Sequence, residues 1–155
     1  MASIESRAEL AAELQGRRLL LFRVAGRLCA CDLEAVREIV PARAATRLPG
    51  APPWVSGLVN LRGTLVTVVD LPRRFGAEAN QARQLIIVEA YGKAFGIGVD
   101  EVRDVQALAD DAFEPVDAQR ALGGIVRALA HIGPEGGGSA LVCDVEAIAR
   151  EALAI

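Results

Sequence analysis

The chain has 155 residues, 52% of them hydrophobic, and a formal net charge of −3. This suits one compact domain, or two small halves around a shared core, and argues against a disordered chain; an acidic balance without a basic stripe also argues against a nucleic-acid binder, which stays a further alternative for a small barrel. No apolar run approaches the roughly 20 residues of a membrane span. The start MASIESRAEL lacks the basic and apolar regions of a signal peptide, so a cytoplasmic protein without membrane insertion is expected.

Residues 3 to 15 have the spacing of a short amphipathic helix, with Ser6 and Glu9 as a capping box, Leu10, Ala11 and Leu14 on one side and Gly16 as its stop. Such a helix either docks on the body or stays free of it. From Arg18 the pattern becomes strands. RLLLFRV, a turn at Ala25-Gly26 and RLCACDL read as a β-hairpin, and VREIV at 36–40 as a further strand ended by Pro41. Prolines 49, 52 and 53 then forbid a helix or central strand, leaving an ordered loop anchored by Trp54, the only tryptophan.

Residues 57–71 read GLVNLRGTLVTVVDL. A period of two places Val59 and Leu61 on one face and Leu58, Asn60 and Arg62 on the other, so Arg62 points away from the core. Gly63 supplies the positive φ of a tight reversal. Leu65 to Val69 is apolar except for Thr67 and is expected to be covered on both faces. Asp70 caps a helix that has Leu71 and Pro72 in its first turn.

After the linker 76–83 the chain starts again. QLIIVEAYGKAFGIGVDEVRDVQ (84–106) lies on RLLLFRVAGRLCACDLEAVREIV (18–40) without a gap, Gly92 on Gly26 and VRDV on VREI. Further on, Gly124-Ile125-Val126 matches Gly57-Leu58-Val59, and Val142-Cys143-Asp144-Val145 matches Val68-Val69-Asp70-Leu71. GPEGGGS (133–139) replaces the Arg62-Gly63 turn; it lacks the Lys-Ser/Thr of a phosphate-binding loop and reads as a flexible connector. A helix capped by Asp144 closes the chain. The expected fold is therefore mainly β, with two barrel-like units of about five antiparallel strands, closed to hide their edges, and short N- and C-terminal helices. The first half spans 18–76, the second 84–144 and the final helix 145–155.

Chemistry is hard to find. Three cysteines are an odd number and make no disulfide framework. Cys29, Cys31, Cys143 and His131, the only histidine, would be the one possible zinc set, but the repeat places the cysteines opposite Phe95, Ile97 and Val69, so they read as core. His131 has no nucleophile near it in sequence, and Asp100-Glu101 and Asp110-Asp111 lie in turn contexts without a spacing suited to metal or acid–base work. No catalytic residue, metal or cofactor is expected. A small cysteine-dependent enzyme is the alternative of another class, and it would need an exposed, acidified thiol. What remains is a binding surface: Arg62, outward-facing between Gly57 and Gly63, within reach of Glu38 if the two strands are neighbours.

These residues resemble a known family. TRLPGAPPWVSGLVNLRGTLVTVVDL, preceded by CDLEAVREIV and followed by GIGVDEVRDVQAL, is similar to the CheW family of chemotaxis coupling proteins over about residues 18 to 153. Thr67 stands where that family often has Pro, and 112–122 matches poorly. The resemblance implies two SH3-like five-stranded β-barrels sharing a core. It also implies a non-enzymatic adaptor between the cytoplasmic tip of methyl-accepting chemoreceptors and the regulatory domain of a CheA-type histidine kinase. Of the motif positions, it implies receptor contacts at Val36, Glu38, Arg62 and Gly63, an apolar lip at Val99 and Val102, and a partner-facing role for Gly57. An adaptor of a pilus, gliding or other non-flagellar pathway is the alternative within the family.

Overall fold

The computed structural model describes residues 18–77, 82–116, 122–133 and 138–153. The amphipathic segment 3–15 lies outside the described residues. The first hairpin is β1 (Arg18–Val24) and β2 (Arg27–Asp32), followed by a single 3-10 turn, Leu33–Ala35, and β3 (Val36–Pro41). Then come β4 (Val55–Leu61), β5 (Thr64–Asp70) and the one-turn helix α1 (Leu71–Arg74). The second copy gives β6 (Gln84–Ala90), β7 (Lys93–Val99), β8 (Glu101–Ala107), the short β9 (Phe113–Pro115), β10 (Val126–Ile132), β11 (Gly138–Cys143) and α2 (Val145–Leu153).

The 66-residue repeat is visible element by element, since β1, β2 and β3 are answered by β6, β7 and β8. The two hairpin turns match as well: Ala25-Gly26 has φ of 50° and 80°, and Tyr91-Gly92 has 53° and 73°. Two successive positive φ values make the reversal whose twist fits the flanking strands.

The strands form two sheets, β8-β1-β2-β11-β10-β9 and β3-β6-β7-β5-β4. Each draws on both halves of the sequence. The third strand of each copy crosses over, β3 pairing with β6 and β8 with β1, while β5 and β11 run parallel to β7 and β2. The outcome is a mainly β protein of two SH3-like subdomains, with two corrections. Neither hydrogen-bonded order closes on itself among the described residues, and one sheet has six strands because β9 joins it.

Three apolar clusters follow from this exchange. Leu19, Leu21, Ala128 and Val142 fill the six-stranded sheet, and Val40, Val59, Val66, Val68, Leu85 and Ile87 fill the five-stranded one. A larger third cluster takes the other faces of both, including Phe22, Cys29, Val69, Ile86, Phe95, Ile97 and Ile148 of α2. Strands such as β6 are consequently apolar on both faces. Each fully buried side chain of this size contributes roughly 1.5–3 kcal/mol.

The loop with the prolines is held by side chains and by a backbone bridge. Thr46 exchanges two hydrogen bonds with Leu58, 2.7 and 2.8 Å. Trp54 is half-buried against the shared cluster, and the Arg74 guanidinium lies 5.5 Å above its ring while pairing with Glu151 of α2 at 3.3 Å. Asp70 caps α1, accepting from the Arg73 N–H at 3.4 Å, and its equivalent Asp144 accepts from the Ala147 N–H at 3.1 Å.

The later repeat is registered differently from the sequence match. Val126 pairs with Cys143 as Val55 pairs with Val69, each followed by a one-residue bulge. Asp144 N–H donates to the Ile125 carbonyl and Asp70 N–H to the Trp54 carbonyl, both at 2.7 Å. Ile125 thus answers Trp54, and Ala128 answers Gly57. A glycine followed by two apolar residues is too common a string to set a register, and strand pairing decides it. Leu65 also departs from expectation: it is 63% exposed, because the first two residues of β5 project past the sheet that covers the rest.

Candidate functional site: the Arg62 turn and the two edge strands

β4 and β5 are joined by Arg62 and Gly63 alone, with φ of 53° and 84°. Asn60 stiffens the turn, its Oδ1 accepting from the Gly63 N–H at 2.7 Å. Arginine is uncommon at positive φ, so the guanidinium here is carried by a constrained backbone. Its Nη1 donates to Glu38 Oε2 at 2.6 Å, with the Arg62 side chain 72% exposed and that of Glu38 29% exposed.

The pairing has a geometric meaning. β3 and β4 are the two opposite edges of the five-stranded sheet. They share no ladder, yet Glu38 and Arg62 meet, so the sheet curls until its edges face each other and side chains bridge the seam. The hydrogen bond from Arg62 holds the Glu38 carboxyl below its ordinary range, and Glu38 raises Arg62 in turn. An exposed pair of this kind is screened by water and adds little to stability. Arg37 faces the other way, onto Glu89 at 3.2 Å and the Glu34 carbonyl at 3.0 Å.

The other expected contact residues divide. Val36 and Val102 are half-buried against the shared cluster, near the starts of β3 and β8. Each of those strands is one edge of its sheet, and Gln84 links them: it pairs with Pro41 at the end of β3, and its Oε1 accepts from the Val102 N–H at 2.7 Å. Val99 is not a lip residue. It is fully buried in the shared cluster, because β7 is covered on both faces from Phe95 onward.

Gly57 is not an open approach for a partner either. Its φ is +131°, and a Cβ there would lie 2.0 Å from the Thr46 carbonyl oxygen. The backbone that comes close to Gly57 is the chain's own proline loop. Gly63 differs in this respect, with nothing within 4 Å of the corresponding point.

Two exposed apolar residues on the edge strands were missed in the sequence. Ile39 on β3 and Val105 on β8 are exposed at 40% and 41%. They sit one repeat apart, Ile39 in VREI and Val105 in VRDV, and the two edge strands therefore present matching apolar side chains. The signal was in the repeat: a β-branched residue on the outer face in both copies.

The chemistry of the remaining candidates is muted. Cys29, Cys31 and Cys143 are buried and free. Burial pushes the Cys31 thiol up to about 12, and Cys143 is raised by its hydrogen bond with Cys29 and by burial, so neither offers a thiolate at neutral pH. His131 lies on the exposed side of β10 with Glu114 at 3.3 Å. Among the described residues no group of three His, Cys, Asp or Glu could hold a metal ion, and no helix is long and apolar enough to cross a membrane.

The distinctive surface features of this β-rich domain are an aimed arginine and one exposed apolar side chain on each of two edge strands. The particular family follows from comparison: the model of the CheW-like domain matches residues 18–153, and the chain belongs to that family. It is 35% identical over 103 residues to a chemotaxis protein CheW of Rhizobium meliloti, a match covering 64% of this chain and 66% of that one. A CheW of Klebsiella aerogenes is 30% identical over 74% of this chain and 71% of its own length. The crystal structure of the scaffolding protein TtCheW from Thermoanaerobacter tengcongensis superposes with a TM-score of 0.71 at 26% identity, covering 84% of this chain and 85% of that one.

Proposed function

We propose that this chain is a non-enzymatic adaptor of chemotaxis signal transduction, coupling the cytoplasmic tip of methyl-accepting chemoreceptors to the regulatory domain of a CheA-type histidine kinase in the cytoplasm, at receptor arrays. The observation that carries the reading is the Arg62–Glu38 pair, which holds a largely exposed guanidinium on a constrained turn. In this reading the receptor contact comprises Val36, Glu38, Arg62, Gly63 and Val102, to which we add Ile39 and Val105; family membership supports it.

Covering an apolar side chain that is about two-fifths exposed returns roughly 0.6–1.2 kcal/mol. Ile39 and Val105 alone are therefore too little for a stable complex, and a charge-assisted contact from Arg62 supplies direction and specificity. Signal then passes by binding and geometry, with no chemical step. Buried thiols raised above their ordinary range argue against the cysteine-enzyme alternative.

The test is reconstitution of receptor cytoplasmic fragments, kinase and this chain. Arg62→Ala is expected to lose kinase activation while melting like the wild type; full activation by the variant would refute the site. A second reading, an adaptor of a pilus or other non-flagellar pathway, is favoured by a Pseudomonas aeruginosa relative named PilI, 34% identical over 59% of this chain. Pull-down from each set of receptors and kinases separates the two.

A further inference from the structure

The two strands that carry Val36 and Val102 begin at corners of different construction. In the first copy Leu33–Ala35 form the 3-10 turn, and the Val36 N–H closes it on the Leu33 carbonyl. The equivalent corner, Val99 to Glu101, is sharper: β7 ends at Val99, and Glu101 already lies on β8, paired with Arg23 of β1. The Val102 N–H, equivalent to that of Val36, donates instead to Gln84 Oε1 at 2.7 Å. The same backbone donor is thus satisfied inside its own turn in one copy and by a side chain from another strand in the other.

Gln84 is well placed for this. Its backbone pairs on one side with Pro41 of β3 and on the other with Val99 of β7, so the half-buried side chain starts from a fixed base. β8 belongs to the six-stranded sheet, and the hydrogen bond therefore crosses from one sheet to the other. The repeat places Arg18 opposite Gln84, and a guanidinium has no acceptor to offer. The residue types follow the difference between the corners.

β8 needs such a fixed point. It is an edge strand laddered to β1, and the register slips by one residue between Val102, opposite Phe22, and Val105, opposite Leu20. A bulge breaks the ladder's alternation and re-aims the side chains around it, so the start of the strand decides where they point. Asp100 holds the corner from the other side: its Oδ2 accepts from the Ala25 N–H at 2.9 Å, and its N–H donates to the Arg23 carbonyl at 3.0 Å. Asp100 ties the corner to the first hairpin, and Gln84 ties it to the sheet that carries Glu38 and Arg62.

We infer that Gln84 is a positioning residue of the receptor contact: through the Val102 N–H it fixes β8, with Val102 and Val105, relative to the sheet of Glu38 and Arg62. The partner is that of the adaptor reading, on which this role rests; the hydrogen bond itself does not depend on it.

Two variants of the full chain separate the acceptor from the shape of the side chain. Gln84→Met keeps the length and removes the acceptor, whereas Gln84→Glu keeps an acceptor oxygen. Amide hydrogen exchange along β8 and affinity for receptor cytoplasmic fragments are measured for both and for the wild type, well below the melting temperatures. In Gln84→Met, exchange at Val102 is expected to rise roughly tenfold, as for the loss of one half-buried hydrogen bond, with β6 and β7 protected as before. Receptor affinity is expected to fall several-fold, and Gln84→Glu to restore both. Unchanged exchange at Val102 in Gln84→Met overturns the inference. So does faster exchange with wild-type receptor affinity, which leaves the adaptor reading intact, and so does an equal loss of affinity in Gln84→Glu, which would give the effect to packing. Failure of the wild type itself to bind the fragments would sink the adaptor reading and this role together.

Discussion

The hairpin–helix units β4–β5–α1 and β10–β11–α2 are built alike and used differently. Both begin with a one-residue bulge, both end in an aspartate cap, and both tie that cap's N–H to the residue before the hairpin at 2.7 Å. They differ in the connection. The first turns in two residues and presents an arginine; in the second, residues 133–137 take the place of that turn. Features that recur in both units hold the fold, and the feature found in one alone is a candidate for contact.

Gly57 and Ala128 extend the comparison, because they are equivalent positions with different residues. Ala128 is fully buried under its own sheet, whereas Gly57 lies beneath the Thr46 backbone. Gly57→Ala is expected to be the most damaging change in the first unit. It adds a methyl against backbone at a φ that L-residues rarely adopt, at roughly 2–5 kcal/mol, measurable by urea unfolding. Unchanged stability would return Gly57 to the contact surface. Val99→Ala comes next, at about 2 kcal/mol for a cavity in the shared cluster. A loss of partner binding without that destabilisation would mean that Val99 acts as a lip after all.

Asp70 sharpens the comparison through pH. Burial raises its carboxyl above the ordinary range despite the Arg73 N–H, with Asp100 nearby adding to the rise. A raised folded-state value means that the folded chain binds this proton more readily than the unfolded one. The contribution is fully present below the unfolded value and is lost as pH rises through the folded one. Asp70→Asn keeps the capping oxygen without the charge, so it is expected to raise the melting temperature modestly at pH 7 to 8. The gain should disappear in acid. Destabilisation at neutral pH would show that the charged cap outweighs its burial.

Much of this was legible because it is periodic. The 66-residue repeat located β1 to β3 and β6 to β8, the aspartates announced both helices, and the alternation of GLVNLRG turned Arg62 outward. Glu38 was placed against Arg62 through the assumption of neighbouring strands; the two meet instead across the seam of a curled sheet. The burial of Val99 was illegible because it depends on strands exchanged between halves, and such strands lose the two-sided pattern that separates inside from outside. Gly57 was misread for a related reason. A glycine that admits a backbone looks the same in sequence whether that backbone is a partner's or its own.

The smallest expected effect on stability belongs to Arg62, because truncating an exposed side chain as in Arg62→Ala leaves the packing of the fold unchanged. The same change is expected to have the largest effect on binding, and this contrast is the most direct test of the account. The measurement is co-sedimentation of the CheA-type kinase with receptor cytoplasmic fragments in the presence of wild-type chain or Arg62→Ala, each checked for an unchanged melting temperature. Loss of kinase from the receptor pellet with the variant is the predicted result. Equal recovery from two equally stable proteins would contradict the claim that the Arg62 turn is where this chain meets its partner.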